Sequence, residues 1–114
     1  MKLKNLTAVL SVTLGALAYS GVASAVDADA AQALAKKEGC FKCHAIDKKK
    51  EAKSLKDIAA KYKGKADAQA KIAAHLSEGP KVKMADGTEE EHKIPKTKDK
   101  AEISNLIAWI LSLK

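Results

Sequence analysis

The sequence has no arginine, few aromatic residues, no internal repeat and no stretch typical of a linker or a β-strand. Beyond residue 25, the aromatic residues are Phe41, Tyr62 and Trp109. Without aromatic residues interleaved among the basic ones, the chain lacks the stacking platforms that single-stranded nucleic acid requires, so we expect no nucleic-acid partner. The same shortage leaves few large apolar side chains to fill a core, which favours a bound group that supplies apolar bulk.

The first 25 residues have the three parts of a secretory signal peptide in order. Lys2 and Lys4 form a basic start, residues 6–22 are largely apolar, and Ala23-Ser24-Ala25 is a small-x-small cleavage signature. A retained membrane anchor is the alternative, but the apolar run is short for a full span and is interrupted by small polar residues. We therefore expect cleavage near Ala25, export, and no stable membrane anchor afterwards.

Cleavage leaves residues 26–114, which are 89 residues and allow one small domain. Lys2 and Lys4 leave with the signal, so 19 lysines face 14 acidic residues, a net charge of +5. An exported basic protein rarely meets nucleic acid, and an acidic protein is the expected partner.

Cys40-Phe41-Lys42-Cys43-His44 is the motif that carries chemistry. Two thiols three positions apart, followed at once by an imidazole, are typical of a c-type haem attachment site. Each thiol can add to one vinyl group of the haem, and His44 then lies under the iron as the proximal axial ligand. A thioredoxin-type cysteine pair requires a βαβ pattern, which is absent. A structural zinc site needs four ligands, and Cys40, Cys43, His44 and a later histidine could supply them, so this alternative stays open.

The sequence beyond the signal predicts four helices and no strand. They cover residues 27–38, capped by Asp27 or Asp29; residues 54–62, capped by Ser54; residues 67–78, stopped by Gly79; and a C-terminal helix from Asp99 with Glu102 completing a capping box. Residues 45–53 and 81–98 read as polar loops, the second with a turn at Asp86-Gly87. A long loop in a small domain is often functional, and this one contains Met84 and His92, the candidates for a second iron ligand. For His75, inside the third helix, a helix-surface or packing role is expected.

The order of these features resembles the small bacterial class I c-type cytochromes, which are monohaem and periplasmic. The features are an N-terminal helix, Cys-x-x-Cys-His, a loop, short middle helices, a ligand loop and a C-terminal helix with an aromatic residue. The resemblance implies an all-α class I cytochrome c-like fold, with about four helices around one covalent haem c and with the first and last helices crossing. Carried over by position, Cys40 and Cys43 hold the haem and His44 is the proximal ligand.

Two departures from the family concern the iron ligands. The family usually has Gly-Pro before the helix that follows the haem loop, and the Pro carbonyl accepts a hydrogen bond from the proximal imidazole N–H. Here Ala52-Lys53 stand in that place. A backbone carbonyl can still accept the bond. The family's usual distal ligand is a Met close to the last helix, whereas Met84 lies far upstream. His92 is nearer to that position, so His92 is favoured as the distal ligand, with Met84 as the alternative.

The leading functional hypothesis is a periplasmic one-electron carrier and not an enzyme. Its expected partners are redox proteins with acidic docking surfaces, such as other cytochromes, oxidases or reductases, and we expect a monomer. The alternative is a haem-based gas sensor with an open distal site; a haem enzyme such as a peroxidase ranks last, because no distal acid–base pair is recognisable. The lysines near the motif form either a solvated face or a positive rim around the haem edge: Lys36, Lys37, Lys42, Lys48, Lys49, Lys50 and Lys53.

Overall fold

The computed structural model of the protein describes residues 25–114. The signal peptide predicted over residues 1–25 lies outside the described residues apart from Ala25. In chain order the elements are α1 (Ala28–Lys37), a short 3-10 helix (Cys40–Lys42), α2 (Leu55–Tyr62), α3 (Ala68–Glu78), β1 (Lys81–Lys83), β2 (Glu89–Glu91) and α4 (Lys100–Ser112). The four predicted helices are therefore present, and the all-α prediction is confirmed. Among the helices of residues 25–114, none is long and apolar enough to cross a membrane.

Three of the helices begin at a side-chain cap that the sequence predicts. The Asp27 carboxylate accepts from the backbone N–H of Ala30 at 2.9 Å, and the Ser54 hydroxyl accepts from that of Asp57 at 3.0 Å. Asp99 does the same for the first turn of α4. Each bond satisfies an N–H group that has no partner within its own helix, which is why these helices start where they do.

The capping box at the start of α4 differs from its predicted form. In a direct box, the Glu102 side chain would accept the backbone N–H of Asp99. Instead, Thr97 stands between them: its hydroxyl accepts from the Asp99 N–H at 3.2 Å and donates to Glu102 Oε2 at 2.8 Å. The Asp99 half of the box is confirmed, and the Glu102 half acts through Thr97.

The prediction of no strand was wrong for residues 81–91, which form an antiparallel hairpin of β1 and β2. Lys81 lies opposite Glu91 and Lys83 opposite Glu89, so opposite charges face each other across the pair. The Asp86 carboxylate accepts from the N–H and hydroxyl of Thr88 and closes the turn. All of these residues are exposed, so the apolar alternation that signals a strand is missing from the sequence.

The core lies where α1 and α2 pack against α4. Trp109, expected beside the apolar stripe of α4, is itself a core residue, with 4% of its surface exposed. Asn105 fixes the start of α1 against α4 through two hydrogen bonds with the Asp27 backbone, at 2.8 and 2.9 Å. The buried cluster is Ala31, Leu34, Ala35, Leu55, Leu106, Trp109 and Ile110. Because most of these side chains are small or aliphatic, they leave a large cavity beside the core.

Candidate cofactor site

A cavity of about 670 Å³ opens between the 3-10 helix, α2, α3 and the hairpin. This volume is in the range of pockets that enclose a small molecule. Its apolar walls include Leu55, Ile58, Ile72, Leu106 and Ile110. The cavity is also lined by every residue that the sequence proposes for the site: Cys40, Cys43, His44, Met84 and His92.

The two thiols reach this cavity because the chain turns sharply after α1. Gly39 takes φ +78°, a left-handed conformation that favours glycine, and starts the 3-10 helix. The N–H groups of Cys43 and His44 then both donate to the Cys40 carbonyl, at 3.3 and 3.0 Å, which holds the motif in one compact turn. Both cysteines are free and half-buried, and burial is the main cause that raises the pKa of the Cys40 thiol. Both sulfur atoms are therefore available for thioether bonds.

His44 is held by a hydrogen bond of 2.7 Å between its Nδ1 atom and the backbone carbonyl of Lys53. A carbonyl oxygen only accepts, so Nδ1 carries the hydrogen and the Nε2 lone pair is free to bind a metal. Lys53 is in place because Ala52 N–H donates to the Cys43 carbonyl at 3.0 Å and Ser54 caps α2 directly afterwards. The Lys53 carbonyl thus accepts the bond that the family's proline carbonyl usually accepts.

His92 faces His44 across the cavity, and the two ring centroids are 6.2 Å apart with the planes tilted by 42°. Two metal–nitrogen bonds of about 2 Å and a ring radius of about 1 Å on each side give a separation of about 6 Å for two imidazoles that share one metal ion. His92 Nδ1 is 3.0 Å from the carbonyl of Lys93, so this ring also carries its hydrogen on Nδ1 and leaves Nε2 free. Burial lowers the pKa of His92, which keeps the ring in the neutral form that can bind iron.

Met84 reaches the wall of the same cavity from the end of β1. Its backbone is fixed in the hairpin turn, since its N–H donates to the Thr88 carbonyl at 2.7 Å and its carbonyl accepts from Gly87 at 3.0 Å. The side chain is half-buried. The cavity therefore contains both distal candidates that the sequence identifies, and the ring of His92 is the one that stands opposite His44.

His75 also belongs to this site, although its place in the sequence predicted only a helix-surface or packing role. It lies on α3, lines the cavity, and meets His92 edge to face with ring centroids 4.4 Å apart. Burial, with a smaller contribution from His44, lowers the pKa of His75, so the ring is neutral at pH 7. The signal was its position three residues after Ile72, a buried residue of the predicted apolar stripe, because residues three apart share a helix face.

The zinc alternative has no support from the geometry. Within residues 25–114, no three side chains among His, Cys, Asp and Glu are grouped so that they could hold one metal ion. The site instead fits an iron porphyrin attached through sulfur. It has two free thiols on one side of an apolar cavity, and two imidazoles whose Nε2 atoms are free and whose rings face each other.

Comparisons with known proteins agree with this fit. The family model for cytochrome c matches residues 28–114. The crystal structure of the class 1 cytochrome MtoD from Sideroxydans lithotrophicus ES-1 is 52% identical, covers 78% of this chain and 98% of its own, and superposes with a TM-score of 0.75.

Two curated proteins are also similar over nearly their whole length. Cytochrome c-552 of Nitrosomonas europaea is 36% identical over 89% of this chain and 95% of its own. Cytochrome c-551 of Allochromatium vinosum is 33% identical over 85% of this chain and 100% of its own. The chain therefore belongs to the cytochrome c family, as a small class I c-type cytochrome that binds one haem c covalently and carries electrons.

Proposed function

We propose that this protein is a periplasmic one-electron carrier whose haem iron has two axial histidine ligands, His44 and His92. The observation that carries the proposal is the pair of facing imidazole rings, 6.2 Å apart, each with Nδ1 directed to a backbone carbonyl. Two strong axial ligands leave no open position at the metal, so the arrangement favours electron transfer over the binding of a gas molecule.

The roles of the residues follow from their contacts. Cys40 and Cys43 would hold the porphyrin through thioether bonds, and the compact turn between them fixes its edge relative to α1. The Lys53 carbonyl orients the His44 ring and makes its Nε2 more basic. The apolar walls exclude water, which reduces the rearrangement that a change of charge requires. When bound, the haem supplies an iron atom that alternates between the ferric and ferrous states.

The lysines around the cavity support transient docking to acidic redox partners. Lys42, Lys53 and Lys93 line the cavity, together with Glu90 and Glu91, and are exposed. In the described part of the chain, the single ion pair within 4.0 Å joins Lys71 to Asp67, so no carboxylate neutralises these three lysines at that distance. Unpaired positive charge near the opening attracts an acidic partner and loses strength as salt rises.

Export is the remaining part of the proposal. Cleavage after Ala25 would leave Val26 as the first residue. Val26 is exposed, and the α1 cap at Asp27 follows it, so cleavage there removes nothing from the helix or its cap. Protein recovered from the periplasm is expected to begin at Val26; a chain that keeps Met1 and stays with the membrane would contradict export.

The ligand proposal is tested on the oxidised and reduced holoprotein, with His92→Ala and Met84→Ala as matched variants. We expect wild type to lack the charge-transfer band of a methionine–iron bond. Met84→Ala should leave the reduction potential and the carbon monoxide affinity unchanged, whereas His92→Ala should shift the potential and raise that affinity. A methionine band that disappears in Met84→Ala alone would exclude His92 as the resident ligand.

The docking proposal is tested by the ionic-strength dependence of electron transfer to an acidic redox protein. Replacing Lys42 by Gln should lower the rate at low salt and reduce its salt dependence. Lys100→Gln is the control, because Lys100 is exposed and does not line the haem cavity. Equal effects of both substitutions would show that overall charge, and not the cavity opening, attracts the partner.

A further inference from the structure

The cavity contains a third imidazole for which the proposed ligation has no use. His75 and His92 meet edge to face, with 4.4 Å between their ring centroids. Among residues 25–114, the rings of His44 and His92 are each hydrogen-bonded to a carbonyl, whereas the ring nitrogens of His75 have no partner in the protein. An imidazole with unused nitrogen atoms thus lies beside the proposed distal ligand.

The chain holds these two rings together through a short and rigid connection. Gly79 ends α3 four residues after His75, with φ +57°. The backbone N–H of His92 donates to the carbonyl of Pro80 at 2.8 Å. Gly79 also lies so close to the distal segment that an added Cβ would come within 2.8 Å of the His92 carbonyl. The end of α3 and the backbone of His92 therefore form one packed unit, which keeps the ring of His75 in contact with the ring of His92.

We propose that His75 is a reserve distal ligand, which binds the haem iron whenever His92 is displaced or absent. This inference deepens the proposed function and rests on it. When His92 leaves, its ring vacates space that directly adjoins His75. A lone pair that is already inside the cavity then competes with any external molecule for the open position, so small ligands bind more weakly than they would to a permanently open iron.

The test compares four reduced holoproteins: wild type, His75→Phe, His92→Ala and the double variant His75→Phe/His92→Ala. Phenylalanine keeps an aromatic ring against His92 but has no lone pair. The carbon monoxide affinity measures the open fraction, because the apparent affinity is proportional to the fraction of sites that no internal ligand occupies. If His75 occupies about nine tenths of the sites in His92→Ala, the double variant binds carbon monoxide about tenfold more tightly than His92→Ala.

Near-infrared magnetic circular dichroism of the oxidised proteins identifies the ligands. We expect two imidazoles in wild type, His75→Phe and His92→Ala, and one in the double variant. Added imidazole should restore the two-imidazole spectrum of the double variant and so show that its haem pocket is folded.

Three results would overturn the reserve-ligand role. The first is equal carbon monoxide affinity in His92→Ala and the double variant. The second is a lysine, a methionine or an open position in oxidised His92→Ala. The third is loss of one imidazole in His75→Phe alone, which would make His75 the resident ligand. Failure of the proposed two-histidine ligation is read separately, from a methionine band or an open position in the wild-type spectrum.

Discussion

Glu38 connects the haem attachment motif to the distal segment, and its removal should destabilise the fold. It lies two residues before Cys40 and is 5% exposed. Its two carboxylate oxygens accept from backbone N–H groups 58 and 59 residues away, from Lys96 at 2.7 Å and from Thr97 at 3.3 Å. These N–H groups follow directly after Pro95, which is buried. One side chain thus ties the end of α1 to the segment that carries His92.

The expected loss follows from these two bonds. Hydrogen bonds to a charged group contribute about 1.5–3 kcal/mol each, and we assign about 2 to the short bond. The bond at 3.3 Å is longer than usual, so we assign it only about 1 kcal/mol. A negative charge at the end of α1 opposes the helix dipole, and its removal stabilises the helix by about 0.5 kcal/mol. Glu38→Ala should therefore lower the free energy of unfolding by about 2–3 kcal/mol, with Glu38→Gln intermediate because one oxygen remains to accept.

Urea unfolding of the oxidised holoprotein, followed by the fluorescence of buried Trp109 and by helical circular dichroism, measures this loss. A net loss of that size corresponds to a decrease in melting temperature of about 10–20 °C for a domain this small. Glu78→Ala is the matched control, since Glu78 is exposed at the end of α3 and makes no such bond. A loss in Glu38→Ala equal to that in Glu78→Ala would refute the proposed connection.

Three further predictions test other parts of the fold. Gly79→Ala should lower the free energy of unfolding by about 2–3 kcal/mol, because φ is +57° and the new Cβ would lie 2.8 Å from a backbone oxygen. Gly64 is also left-handed but lies in open space, so Gly64→Ala should cost less. Equal melting temperatures of the two variants would contradict this. Ser54→Ala removes the cap of α2 and should cost about 1 kcal/mol in thermal unfolding. Hydrogen bonds from Thr88 lower the pKa of Asp86, so Asp86 stabilises the fold above pH 3.8, its usual value, and this contribution is lost as the pH falls through the lowered pKa. Acid unfolding of Asp86→Asn should therefore depend less on pH than that of wild type; identical curves would show that the turn makes no contribution.

Much of the helical fold could be predicted because its signals are local. Asp27, Ser54 and Asp99 each stand one residue before a helix and cap it, and Gly79 ends α3. A capping residue acts within one turn of its own chain, so the sequence contains the whole interaction. The proximal half of the site is local in the same sense, since the thiols, His44 and the Lys53 carbonyl all lie within residues 40–53.

The misses have a different cause: each depends on side-chain contacts that hydropathy periods and standard capping motifs do not contain. The hairpin pairs Lys81 and Lys83 with Glu91 and Glu89 across two strands, and no hydropathy period reveals such a pairing. Thr97 enters the capping box from outside the predicted motif. His75 shares a face of α3 with buried Ile72, but it meets His92 only because the hairpin returns the chain to α3.

This contrast explains why the distal ligand stayed open on sequence grounds while the proximal one did not. His44 is placed by one turn and one carbonyl nearby in the chain. His92 is placed by Pro80, by the Gly79 contact and, through the following segment, by Glu38, which lies more than fifty residues earlier. A ligand held by several distant contacts can lose its position when any one of them weakens. If His92 is the distal ligand, as we propose, a second imidazole is most useful beside it, and the ring of His75 is in contact with that of His92.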